Sequence, residues 1–233
     1  KGLDKIGFPY FGWLASIHTA VARVASSFKI PLVFYAEDGE VEYGGTSEKQ
    51  NKQTYDFKYQ KKIYLENYYP LIEEILRKNK HGNFFFQYPK NNKITLTHWS
   101  YYEDWDPYRN YLIAKKHCGL IESEDTNAGT FTNFSQNDQS LYALHTYIMY
   151  LKFGFGRASQ DSCIEIRRGA MDRNQAINLV NLYDNHFPEQ YLDIYLDYYK
   201  IKKNKFQSIL NKFTNKKLFK IKDNKPQKLF KIM

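Results

Sequence analysis

Ile30-Pro-Leu-Val-Phe-Tyr35, followed at once by Ala36-Glu-Asp-Gly-Glu-Val-Glu-Tyr-Gly-Gly45, is the stretch on which the fold turns. Six uncharged residues bounded by an acidic loop with glycines predict a strand buried on both faces, as in the middle of a parallel sheet. The preceding segment, Leu14 to Phe28, is small and apolar with Arg23 as its one charge, and predicts a helix packed closely on that sheet. Helix, buried strand and acidic glycine loop make half of a doubly wound α/β unit, whose ligands sit at the carboxyl ends of the strands. The fold class expected is therefore α/β, with part of a doubly wound parallel sheet followed by a mostly helical subdomain.

Outward from that stretch, residues 46–60 are polar and read as an exposed excursion. Ile63, Leu65, Tyr68, Leu71, Ile72, Ile75 and Leu76 form a helical stripe across 61–79, and 84–88 and 94–99 have the length of strands. Asp106-Pro107 leading to His117 and Gly119 reads as a capped helix, with Asp at the N-cap, Pro at the first helical position and Gly just past the end. Further helices are predicted over 138–153, 188–199 and 205–213. Asp172-Arg-Asn-Gln175 has capping-box spacing and opens another through Leu182. Three regions follow: the α/β portion at 1–100, a helical substrate-binding subdomain at 101–199, and a Lys-rich helical tail at 200–233.

Net charge belongs to that last region. The formal charge of the chain is +9, yet residues 200–233 hold 12 Lys against the single acid Asp223, so the first 199 residues are close to neutral. A nucleic-acid interface needs its basic face on the folded body, which argues against that class of partner. At 42% hydrophobic and 18% aromatic the chain has material for a core, which excludes disorder throughout. No apolar run approaches the ~20 residues of a membrane helix. Cys118 and Cys163 are too few for a disulfide framework or a cysteine-rich zinc site, so a reducing, cytoplasmic setting is expected. The first residues read as the middle of an element, and the chain is expected to be the C-terminal piece of a longer protein.

Two segments carry candidate chemistry. In Glu37-Asp-Gly-Glu-Val-Glu-Tyr-Gly-Gly45, carboxylates at a strand end can hold a magnesium ion or a hydroxyl, and Gly44 and Gly45 let backbone N–H groups approach a phosphate. A solvated acidic turn is the alternative. In Lys152-Phe-Gly-Phe-Gly-Arg157, glycines two apart flanked by two cations suit a polyphosphate clamp. A helix cap at Gly154 followed by a surface turn is the alternative. The segment continues through Asp161 to Glu165-Ile-Arg-Arg-Gly169, where arginine forks suit phosphate or carboxylate binding. The histidines show no metal-ligand spacing, His18 reading as a core residue, and no nucleophile elbow is present. The aromatic run His98 to Pro107 could stack a sugar or wall an interface.

At these segments the chain resembles the bacterial N-acetyl sugar amidotransferases, relatives of the PP-loop ATP pyrophosphatases that act in pseudaminic acid, legionaminic acid and O-antigen biosynthesis. The resemblance is carried by Lys29 to Glu37 leading to Glu42-Tyr-Gly-Gly45, Trp105-Asp-Pro107, Gly129-Thr-Phe-Thr-Asn133 before Asp138, Tyr150 to Ala158, and Ile164 to Gly169 before Arg173. It implies conversion of an acetamido group on a sugar to an acetamidino group. ATP activates the amide oxygen, magnesium bridges the phosphates, and ammonia from a glutaminase partner displaces AMP. It further implies Lys152 and Arg157 as catalytic cations, and Glu37, Glu42, Gly44, Gly45, Gly154 and Gly156 near the nucleotide. Asp161, Glu165 and Arg167 are expected near the sugar or sugar-nucleotide substrate. The family's Ser-Gly-Gly-Lys-Asp-Ser loop and cysteine-rich segment are expected before Lys1, and Gly7 to Trp13 lacks the cysteines many relatives carry there. A non-catalytic assembly module that docks a glutaminase is the alternative.

Overall fold

The computed structural model describes residues 1–37, 39, 52–64, 66, 71, 72, 74, 87–89, 93–135, 140–223 and 225–232, with backbone alone at 63 and 64. Most of the predicted helix over 61–79, most of the predicted strand over 84–88, and Glu42, Gly44 and Gly45 lie outside the described residues. The chain divides into two compact units, one of Lys1–Gly2 and Phe11–Trp105, the other of Leu3–Tyr10 and Asp106–Met233.

In the first unit, helix α2 (Phe11–Ser27) precedes strand β1 (Leu32–Tyr35). Strand β2 (Tyr55–Asp56) runs into helix α3 (Phe57–Tyr64), and strand β3 (Thr95–His98) follows. The sheet order is β1-β3-β2. β1 and β3 are parallel, with Leu32 opposite Thr95 and Tyr35 opposite His98, whereas β2 runs antiparallel to β3. Ala22 and Ala25 of α2 pack with Phe57, Ile94 and Leu96. Small side chains on that helix face let it lie close to the sheet, as the sequence predicts.

The double burial expected of β1 is not observed. Leu32 is 48% and Phe34 45% exposed, while Val33 and Tyr35 turn toward the α2 cluster. An unbroken apolar run conceals this alternation, because the outer side chains are also apolar. Phe34 meets Trp99 and Tyr102 at ring separations of 6.0 and 5.7 Å, an aromatic cluster rather than a second helical layer. Among the described residues the sheet is a parallel pair with an antiparallel edge.

The second unit is mostly helical. It comprises α1 (Gly2–Ile6, from Leu3 onward), α4 (Pro107–Cys118), α5 (Ser140–Phe153), α6 (Arg157–Arg167), α7 (Arg173–Tyr183), α8 (Leu192–Tyr199) and α9 (Lys203–Phe213). The antiparallel hairpin of β4 (Phe219–Lys222) and β5 (Lys225–Lys228) follows. Both predicted cap signatures form. Asp106 accepts from Arg109 N at 2.9 Å and Gly119 closes α4 at φ 70°. Asp172 and Gln175 exchange the two bonds of a capping box.

Helix α5 is the axis of this unit. Leu144, Ile148 and Leu151 are fully buried against Tyr195 of α8, Phe206, Ile209 and Leu210 of α9, and Phe219 of the hairpin. Each such side chain contributes roughly 1.5–3 kcal/mol on burial. The Lys-rich 200–233 stretch, expected as a helical tail, is helical over α9 and then turns into the hairpin. Its lysines face outward while Phe206, Ile209 and Leu210, at i, i+3 and i+4 on one helix face, reach the core.

Candidate functional site

Residues 150–169 form the framework of the site. Helix α5 ends at Gly154, whose φ of 83° and N–H to Tyr150 O at 2.8 Å make it a helix cap. A side chain there would also press on Phe230 and Leu218 at 3.2 and 3.3 Å. Gly156 then opens α6, and it is a glycine for a different reason. A Cβ on Gly156 would lie 3.0 Å from Oδ1 of Asp184.

Asp184 follows the last residue of α7 and is only 3% exposed. It accepts Gly156 N–H at 2.9 Å, Ser159 N–H at 3.0 Å and the Ser159 hydroxyl at 2.6 Å. A helix N-terminus is an anion site because its first amides lack intrahelical partners. Here the anion is a carboxylate of the same chain. Burial pushes the Asp184 carboxyl up, and the bonds from Ser159, Gly156 and Ala158 pull it back.

Arg157 is held on every side of its fork. Nε donates to both oxygens of Asp161 at 2.8 and 2.9 Å, one terminal nitrogen to the Tyr142 hydroxyl, and the other to Ser135 Oγ at 3.1 Å. The guanidinium also lies 4.9 Å from the Tyr142 ring centre. Thr130 donates its hydroxyl to Asp161, and Ala158 N–H donates to Gly129 O at 3.0 Å. The Gly129–Asn133 segment and the start of α6 are thus brought together in space, although 24 or more residues separate them. A hollow of about 20 Å³ beside Arg157, Thr130 and Ser135 has room for one water.

Lys152 lies elsewhere. Its ammonium donates to Ile6 O at 2.7 Å and Gly7 O at 3.1 Å, capping α1, and it rests 5.0 Å from the centre of the Phe213 ring. Burial holds this amine below its ordinary value. Glu165 pairs with Arg168, which reaches on to Asp106 Oδ2 at 2.8 Å. That bridge joins the Trp105-Asp-Pro107 and Ile164–Gly169 segments. Arg167, in the last turn of α6, is exposed.

In the first unit, Glu37 follows β1 with its carboxyl raised by burial. Gly39 N–H donates to Ser100 Oγ at 2.8 Å. His18 is a core residue, as read from the sequence. It meets the buried Gln60 amide at 3.0 Å, and burial, with His98 nearby, pushes it down to about 4. No group of three or more His, Cys, Asp or Glu able to hold a metal occurs among the described residues. No helix among them is long and apolar enough to cross a membrane.

The second unit also forms a cavity of about 790 Å³, partly open to solvent, which the sequence did not point to. Tyr147 of α5, Tyr183 of α7 and Gln207 and Asn211 of α9 line it, together with Asn185 to Phe187, Glu189 and Gln190. Ala128 and Gly129 also border it, so one loop separates it from Arg157.

Residues 128–233 match the family model described as "LPS biosynthesis protein WbpG-like, C-terminal domain". No curated protein matches the chain. The matched span holds Arg157, Asp161, Asp184 and all of the cavity wall except Thr126 and Asn127. From residue 128 onward the second unit is thus similar to a WbpG-like C-terminal domain.

Proposed function

We propose that the protein acts in lipopolysaccharide or related surface-glycan biosynthesis as an ATP-dependent amidotransferase. The reaction replaces the oxygen of a sugar acetamido group by NH. One observation carries this reading: the match of residues 128–233 to a lipopolysaccharide-biosynthesis domain, a span that includes Gly129–Asn133, Tyr150–Ala158 and Ile164–Gly169 among the segments that resemble the N-acetyl sugar amidotransferases. In this reading the first unit is part of a doubly wound nucleotide-binding domain, ATP and Mg²⁺ are co-reactants, and a glutaminase supplies ammonia.

The described residues around Lys152 and Arg157 do not fit a polyphosphate. Asp184 fills the amide cradle at the start of α6, and a second anion there would meet its charge. The Lys152 ammonium is committed to Ile6 and Gly7. The contribution of this region is positional: Arg157 and Asp161 fasten the 129–135 loop to α5 and α6, and Asp184 fixes α6 against α7.

The reaction is tested by incubating the natural gene product carrying this chain with an acetamido sugar nucleotide, ATP, Mg²⁺ and ammonia. The expected product has lost oxygen and gained NH, with AMP and pyrophosphate released together. ATP consumption without a change in the sugar contradicts the reading.

A further inference from the structure

We propose that the 790 Å³ cavity of the helical unit is a saccharide site, selecting an uncharged ring bearing hydroxyl and amide groups over a nucleotide or other polyanion. The volume falls in the range of small-molecule sites, roughly 300–1,000 Å³. Its walls carry a chemistry suited to hydroxyls. Asn185, Gln190, Gln207 and Asn211 all reach it, and an amide offers donor and acceptor together, as a sugar hydroxyl does. Two of them are pre-set, since Gln207 Nε2 donates to Asn211 Oδ1 at 3.0 Å one turn along α9.

Aromatic side chains share the lining. Tyr147, Tyr183 and Phe187 are among them, with Phe187 held edge-on to Tyr147 at 5.2 Å. Flat apolar faces beside fixed amides suit a pyranose, whose C–H face is apolar and whose rim is polar.

Charge decides against a polyanion. Lys203 and Lys225 at the cavity are matched by Glu189 and Asp223, and no arginine among the described residues lines it. Phosphate recognition draws on surplus cations, arginine forks or a cradle of backbone amides. The amide cradle near this cavity is occupied by Asp184. The surrounding lysine-rich surface therefore does not make the interior a phosphate site.

This inference rests on the glycan-biosynthesis reading for its choice of probes, and binding is measured without turnover. Saturation-transfer NMR on the whole chain, with free N-acetylglucosamine, N-acetylmannosamine, glucose, UMP and ATP, reads the site directly. Transfer to at least one acetamido hexose is expected, undiminished by equal concentrations of UMP or ATP. Gln190→Ala and Asn211→Ala are expected to weaken it about fivefold each, by loss of one hydrogen-bonding group, with melting curves that show both variants folded. Three results overturn the proposal: no transfer to any sugar, displacement of the sugar by either nucleotide, or undiminished binding in both variants. Sugar binding without amidotransfer would overturn the reaction and leave the cavity assignment standing. Amidotransfer with sugar binding insensitive to both variants would do the reverse.

Discussion

Asp184 lies against the position at which Gly156 would otherwise carry a side chain, its Oδ1 3.0 Å from where a Cβ would sit, and accepts the Gly156 N–H at 2.9 Å from 28 residues away. The glycine and the carboxylate require each other. Asp184→Ala leaves two amides and a hydroxyl without their acceptor and is expected to cost about 2 kcal/mol or more. Gly156→Ala crowds the carboxylate, which must shift by a few tenths of an ångström, and is expected to cost about 1–3 kcal/mol. Because both changes act on one contact, the double variant should lose less than the sum. Denaturant melts of the four proteins give the coupling, and simple additivity would show that the contact carries no energy.

Lys152 ties α1 to the end of α5 through the carbonyls of Ile6 and Gly7. Lys152→Met keeps most of the stem but removes the donors. Faster amide exchange is expected at residues 3–10, while the amides of α7 stay protected. Unchanged exchange in that segment would mean the ammonium is not what holds it.

Arg157→Lys keeps the charge and loses the fork that reaches Asp161, Tyr142 and Ser135 at once. A stability loss of about 1–3 kcal/mol is expected, from a buried carboxylate left with fewer donors. A thermal melt within error of the parent protein would show that this network is not structural.

His145 stacks on Phe8 at 4.7 Å, and its Nδ1 is buried without a hydrogen bond. Burial, with Lys152 as the lesser cause, pushes it down to about 4, and His18 is pushed down to about 4 as well. Between pH 6.5 and 4 the unfolded chain therefore binds protons that the native fold refuses. Stability from these two groups is present in full above pH 6.5 and is lost as pH falls toward 4, on the order of 3 kcal/mol for each. Carboxylates also titrate near the lower end, so the informative quantity is a difference. His145→Phe preserves the stacked ring and should flatten the decline by one group's share. Parallel pH profiles for the two proteins would contradict this.

The helical unit was legible where its signals are local. Asp106, Pro107 and Gly119 bound one helix, and Asp172 with Gln175 starts another, because capping is decided within four residues of chain. Strand β1 was legible as a strand but not in its burial. A face holding Leu32 and Phe34 looks the same in sequence whether helix or solvent lies against it. The segment from Lys152 to Arg157 drew attention for its glycines and cations, and the structure gives those features other partners. Gly154 caps a helix, Gly156 admits Asp184, and Lys152 holds the chain at Ile6 and Gly7. Asp184 itself carried no local mark, since its partners lie in a different helix. The cavity was likewise invisible, because α5, α7 and α9 contribute to it from positions up to 64 residues apart, Tyr147 to Asn211.

The central claim is the transfer of ammonia nitrogen to a sugar acetamido carbon. The direct measurement supplies the natural gene product carrying this chain with ¹⁵N-ammonium, ATP, Mg²⁺ and a panel of acetamido sugar nucleotides, and follows the label by NMR. The expected result is ¹⁵N in an acetamidino group of one sugar, with AMP and pyrophosphate formed in equal amount. A folded protein that binds an acetamido sugar yet leaves every member of the panel unlabelled would contradict it.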